Sequence, residues 1–329
     1  MTIYDIAKIA GVSPGTVSRV VNKKPGVKQS TRERIERLLE EHHYTPDLNA
    51  RALVMQNSRM IGIVTDDLVT HRLGNVLYSV IRELMQNGYT CFIQYTGKDN
   101  TVAQALTELA SRRVLGALLL GVTFMNRDEI SQAISRCLPD IPVVMVNQAT
   151  DFGMSNVYCV GVDEKDAFWR CVRMLSERGR KQMALVIDAG RISTKIIRSG
   201  FEAGIRDFGV QGRVYEGIPA TGPEGEAVLR RIMEEEPATD AVLCAQDMLA
   251  IGVLHAAQDM GLDVPERLSV MGEDNSRLCE ACRPRLSSLD TIIPAVAISS
   301  ARTLMDALEG KPVAHRMILN MEICERETT

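Results

Sequence analysis

From residue 61 onward the chain alternates short apolar runs of strand type with amphipathic stretches of helical period, and this alternation constrains the fold more than any other feature. The runs fall at 61–64, 91–95, 117–122, 143–147 and 157–162. A strand, a crossover helix and a second parallel strand is the arrangement such a pattern supports. A second series at 183–187, 214–218, 241–245 and 268–271 predicts a second lobe of the same kind. At 329 residues the chain is too long for one ordinary core. Its 45% apolar and 24% charged residues describe a globular protein with enough apolar mass for several compact units.

The first 60 residues follow a different rule. Thr2 and Asp5 have capping-box spacing, and Ile6, Ala7, Ile9 and Ala10 then form a helical apolar face up to Gly11. Ser13 suits an N-cap and Pro14 a first helical position, so a second helix begins there with Val17, Val20 and Val21 turned inward. Two short helices joined by about three residues make a helix-turn-helix. The outward face of the second helix carries Gly15, Thr16, Ser18, Arg19 and Asn22. Small residues there admit close backbone approach, Thr16 and Ser18 can donate to phosphates, and the Arg19 fork matches a guanine edge. A third helix is expected over 30–42 with Ile35, Leu38 and Leu39 as its stripe. Tyr44-Thr45-Pro46 then breaks the pattern, and 47–54 reads as a helix too short to stand alone.

Charge divides the chain at the same place. Residues 1–60 hold ten Lys or Arg and six Asp or Glu, a net of +4, and the remainder carries −8. A basic head on an acidic body fits a protein in which only the head approaches phosphates.

The segments "TIYDIAKIAGVSPGTVSRVVN" and "YTPDLNARAL" resemble the LacI/GalR family of bacterial repressors. The resemblance continues through "IPVVMVN", "VGVDEKDA", "RSGFEAGIRDFG" and "AVLCAQDMLAIGVLHAAQDMGLDVPERLSVMGEDN". It implies a small all-α helix-turn-helix head (1–45), a hinge helix and linker (46–60), and an α/β core (61–329). The core is of periplasmic-binding-protein type, two doubly wound parallel-sheet lobes at about 61–160 with 292–320 and about 163–289, with crossovers near 159–163, 289–292 and 320–322. The family's DNA contacts carry over to Thr2, Ser13, Pro14, Gly15, Thr16, Ser18, Arg19 and Asn22, and to Ala50 and Leu53 of the hinge, where Leu53 would wedge into the minor groove. The two positions with which the family selects its operator are here Pro14 and Gly15, neither offering a side-chain hydrogen bond. Lys28 stands where the family usually has a Ser cap.

In the core the resemblance assigns an effector pocket to Asn147, Arg198, Gln246 and Asp274, with Arg72 in the first loop. Arg198 and Asp274 could hold the vicinal hydroxyls of a sugar or another polar metabolite, and Arg72 beside Arg198 would favour an anionic effector such as a sugar acid or phosphosugar. The expected partners are a near-palindromic double-stranded operator, a second copy of the chain and that small effector.

Catalysis is not expected. The chain has no dinucleotide fingerprint, P-loop, HExxH or nucleophile elbow. Its five histidines are too scattered for zinc, and Cys279–Cys282 is a single CxxC read as two free thiols, so neither metal nor cofactor is expected. Eight cysteines in mostly apolar surroundings suit a reducing compartment. No apolar run reaches the roughly 18 residues of a membrane span, and Met1-Thr2-Ile3-Tyr4-Asp5 is unlike a secretory signal, which points to the cytoplasm.

Overall fold

A computed structural model describes residues 2–21, 24–42, 59–66, 68, 70–97, 100–121, 127–189 and 193–329. The chain divides into two compact units, Met1–Ser58 and Arg59–Thr329. Asn22, Ala50, Leu53 and the whole 47–54 segment lie outside the described residues, as does the side chain of His71.

The first unit contains α1 (Ile3–Ala10), α2 (Pro14–Val21) and α3 (Gln29–Glu41). The α1 capping box is formed: the Asp5 N–H donates to Thr2 Oγ1 at 3.3 Å and the Thr2 N–H donates to Asp5 Oδ2 at 2.8 Å. Gly11 ends the helix at φ +62, the left-handed conformation in which glycine carries no Cβ penalty. Ser13 Oγ accepts the Thr16 N–H at 3.2 Å and so caps α2, with Pro14 in the first turn. Lys28 precedes α3 without a side-chain cap. Ile6, Ala7, Ala10, Val17, Val20 and Ile35 form the buried core, with Val21, Leu38 and Leu39 packed partly against it. Ile9 departs from the expected face and is 51% exposed. It lies about 100° of helical rotation from Ala10, off the stripe that Ile6 and Ala10 define.

The second unit holds two six-stranded sheets. The first runs β11-β5-β4-β3-β1-β2, from β1 (Met60–Thr65), β2 (Thr90–Tyr95), β3 (Gly116–Leu120), β4 (Val143–Val146), β5 (Val157–Val162) and β11 (Arg316–Leu319), all parallel. The second runs β12-β10-β9-β8-β6-β7, from β6 (Gln182–Asp188), β7 (Gln211–Ile218), β8 (Ala241–Cys244), β9 (Ser269–Glu273), β10 (Ser287–Asp290) and β12 (Glu322–Cys324). In it only β12 is antiparallel, to β10. These are the two doubly wound lobes expected from the alternation. Strands β10, β11 and β12 were not among the apolar runs. Two reasons account for this: β10 begins Ser287-Ser288, and β11 alternates exposed and half-buried residues at a sheet edge.

Helix contacts in the second lobe depend on missing side chains. A Cβ at Gly200 would come within 2.2 Å of the Lys165 carbonyl oxygen, and one at Gly204 within 2.7 Å of Val172 Cβ. The helices Glu164–Glu177 and Thr194–Phe208 therefore meet almost backbone to backbone. Asp247 ties the far edge: its carboxylate accepts the Ser276 N–H at 2.7 Å and the Ser288 hydroxyl at 2.6 Å. Burial pushes its pKa up despite those donors.

Candidate DNA-reading face and effector cleft

On α2 the residues facing away from the head's core are Pro14, Gly15 and Arg19, exposed, with Thr16 and Ser18 half-buried. A Cβ built at Gly15 would meet only Ser13 Oγ, at 3.8 Å, so this spot presents bare backbone. The Ser13 and Thr16 hydroxyls lie 3.0 Å apart, an arrangement that aims them together. Thr2 is exposed beside Asp5, whose carboxyl is held below its usual range by the Thr2 amide and then the Thr2 hydroxyl. Tyr4 on α1 is 70% exposed, off the apolar stripe that begins at Ile6.

In the core unit, the C-terminal ends of strands from both lobes open onto one cleft of about 1070 Å³, where open α/β sheets place ligands. Arg72, Asn147, Gln246 and Asp274 all line it. Asn147 follows β4 at φ +59, a left-handed conformation that Asn tolerates. Asp274 follows β9 at φ +104, outside the range a β-carbon accepts easily, so the surrounding contacts must hold it there. Gln246 precedes the helix Asp247–Asp259 and makes no capping bond with its side chain. Arg72 enters from the first turn of the helix His71–Gln86, 17% exposed, with Nε 3.7 Å from Asp274 Oδ1 and Nη1 3.9 Å from Glu164 Oε1.

Arg198 is elsewhere. Its helix buries Ile197, Gly200, Phe201 and Gly204, and a step of about 100° from Ile197 turns Arg198 off that face. Its guanidinium is 48% exposed and pairs with Glu202 at 2.7 Å and Glu216 at 3.0 Å. Lys195 and Ile196, from the first turn of the same helix, line the cleft instead. The expected pairing of Arg72 with Arg198 is therefore corrected, and with it the argument for an anionic effector. Sequence reasoning also missed Arg127, Lys165 and Arg316 on the cleft wall, and Asp151, Asp163, Glu164 and Asp188 among the carboxylates that balance them. Periodicity identified none of these, because each sits in a loop or at the end of a helix or strand that only the lobe arrangement brings to the cleft.

Among the described residues, no group of three or more His, Cys, Asp or Glu is placed to hold a metal, and no helix is long and apolar enough to cross a membrane. Cys279 and Cys282 are free thiols, with burial the largest cause raising Cys279 to about 12, far from a reactive thiolate.

Residues 2–47 match the family described as bacterial regulatory proteins, lacI family, and residues 172–329 a periplasmic binding protein-like domain. Catabolite control protein A of Staphylococcus epidermidis is 30% identical over 342 residues, covering 100% of this chain and 99% of the relative. The chain belongs to the lacI family of bacterial regulatory proteins. An HTH-type transcriptional regulator of Lachnoclostridium phytofermentans is 29% identical over 333 residues, covering 100% of this lacI-family chain and 99% of the relative. The fold of this chain is similar to that of a chain in the structure of the lac repressor dimer bound to operator and the anti-inducer ONPF, with a TM-score of 0.89, 24% identity and coverage of 100% and 99%. The transcriptional regulator CelR–cellobiose complex matches at a TM-score of 0.69 and 24% identity over 100% of both chains. This lacI-family protein is a DNA-binding transcriptional regulator, and its relatives are regulators rather than enzymes.

Proposed function

We propose that this regulator is a repressor that binds a near-palindromic operator as a homodimer, with operator affinity set by a neutral polyhydroxylated metabolite, a sugar or sugar derivative, in the cleft. The observation that carries the reading is the meeting of Arg72, Asn147, Gln246 and Asp274 on one cleft from four separate segments. The Arg72 contacts at 3.7 and 3.9 Å exceed hydrogen-bonding distance. A group that both accepts from a guanidinium and donates to a carboxylate fits there, and a hydroxyl does both. A phosphate or carboxylate would only accept, and would face Glu164 and Asp274 as like charges. Fold relatives support a sugar-like ligand: CelR is seen with cellobiose and the lac repressor with ONPG.

The DNA-facing set is Thr2, Ser13, Pro14, Gly15, Thr16, Ser18 and Arg19 with Asn22, and Leu53 beside Ala50 as the minor-groove wedge of the hinge at 46–60. One head of net +4 with one recognition helix needs a second head for tight binding, with half-sites about one helical turn apart. Support for a homodimer comes from Tyr78 and Met85, exposed on one face of the His71–Gln86 helix, and Ile93 and Tyr95, exposed on one face of the edge strand β2.

A thermal-shift screen over neutral sugars, sugar acids and phosphosugars tests the effector, since a ligand at 100 times its Kd adds about 2.7 kcal/mol. Operator titration with and without each stabilising compound follows. The reading stands if a neutral sugar both stabilises the protein and shifts operator affinity, and it ends if every stabilising compound leaves that affinity unchanged. For the hinge, Leu53→Ala is expected to leave folding intact and weaken operator binding, and equal gel shifts for parent and variant would remove Leu53 from the interface.

A further inference from the structure

Arg72 is badly placed for its own helix. It stands in the first turn of His71–Gln86, a turn without an acidic side chain, where the free N–H groups and the helix dipole repel a cation. Its Nη1 is buried without a hydrogen-bond partner among the described residues. What balances this charge comes from the other lobe. Glu164 opens the first helix after the crossover from β5, and Asp274 follows β9 of the second sheet. Both carboxylates are nearly buried, so little water screens them.

We propose that Arg72 is a clasp between the lobes: a positioning residue whose charge, shared by Glu164 and Asp274, sets how far the cleft stands open when no ligand is bound. At 3.7 and 3.9 Å the Coulomb attraction persists while hydrogen bonds do not form. The lobes are thus drawn together without the space between the charges being filled. Without the cation, the attraction across the gap between the first lobe and the two carboxylates of the second would be lost, and the lobes would part. The consequence for effector control rests on the cleft being the effector site; the clasp itself does not.

The test uses the full chain with neither DNA nor any small molecule. Noncanonical amino acids at exposed Ser111 in the first lobe and Glu234 in the second carry spin labels, leaving the native cysteines alone. Pulsed electron-electron resonance then reads the distance distribution between lobes. Arg72→Gln is expected to shift the distribution to longer distances and broaden it, and Arg72→Lys, which keeps the charge, to stay near the parent. Glu164→Gln leaves the cation in place and guards against a misfolded Arg72→Gln; its expected shift is smaller and in the same direction. Arg198→Gln breaks ion pairs confined to the second lobe and should change nothing. Parent-like distributions for both Arg72→Gln and Glu164→Gln would overturn the clasp. So would an Arg198→Gln shift as large as that of Arg72→Gln, because the effect would then be one of charge in general. Since no effector enters the measurement, its failure is separate from a failure of the effector screen.

Discussion

Arg19 in the head and Arg72 in the core are both helical arginines, but the regions around them impose opposite conditions. Arg19 is exposed on a helix whose inward face is only Val17 and Val20, so it remains in high dielectric and available to an external partner. Arg72 is enclosed between carboxylates, and its geometry is part of the fold. An exposed guanidinium is free energetically until its target arrives, whereas an enclosed one must be balanced before any ligand comes. Substitutions in the head should therefore be felt in DNA binding, and substitutions at the core's enclosed charges in stability.

The largest effect should come from an enclosed carboxylate of the core. Asp247→Ala removes the acceptor of the Ser276 N–H and the Ser288 hydroxyl, and should cost about 3 kcal/mol in urea unfolding. Asp247→Asn separates charge from shape. Because burial raises the folded pKa of Asp247 above its unfolded value, the ionised form weakens the fold at neutral pH, and this penalty is relieved as pH falls through the folded pKa. The stability of the parent relative to Asp247→Asn should thus rise as pH is lowered from neutral through the folded pKa. A difference that stayed flat or fell would show that the donors, rather than burial, control this group.

Next in size are the effects of the two arginines. Arg19→Ala should lose about 1–3 kcal/mol of operator affinity, with discrimination lost as well, while the head's melting is unchanged. A fall in stability instead would erase the contrast between the regions. Arg72→Ala should lower core stability by about 1–3 kcal/mol, because two nearly buried carboxylates lose the attraction of a nearby cation. Arg198→Ala should cost less than about 1 kcal/mol, as exposed pairs do. The family resemblance assigns Arg198 to the effector pocket; with Arg198 on the Glu202–Glu216 side, the effector response should persist in Arg198→Ala. Thr2→Ala should cost about 1 kcal/mol through loss of the α1 cap, read as a lower melting temperature of the head.

The sequence by itself determined the features that depend on neighbours a few residues away. The Thr2–Asp5 box, the Ser13-Pro14 start of α2, the stripe of Val17 and Val20, and the apolar runs that became β1 to β9 all follow from local spacing, because caps and periodic faces are complete within one or two turns or a single strand. Tertiary structure alone decided which charged residues share the cleft. Helix ends and loops carry no periodicity, so nothing local separates Lys195, which lines the cleft, from Arg198 three residues later, which does not. The short strands β10 to β12 escaped for a related reason: they are stabilised by the strands beside them rather than by an apolar pattern of their own. Arg72, next to Glu164 in space and far from it in the chain, acquires its partners only when the two lobes are folded against a common cleft, since attraction between charges depends on distance through space.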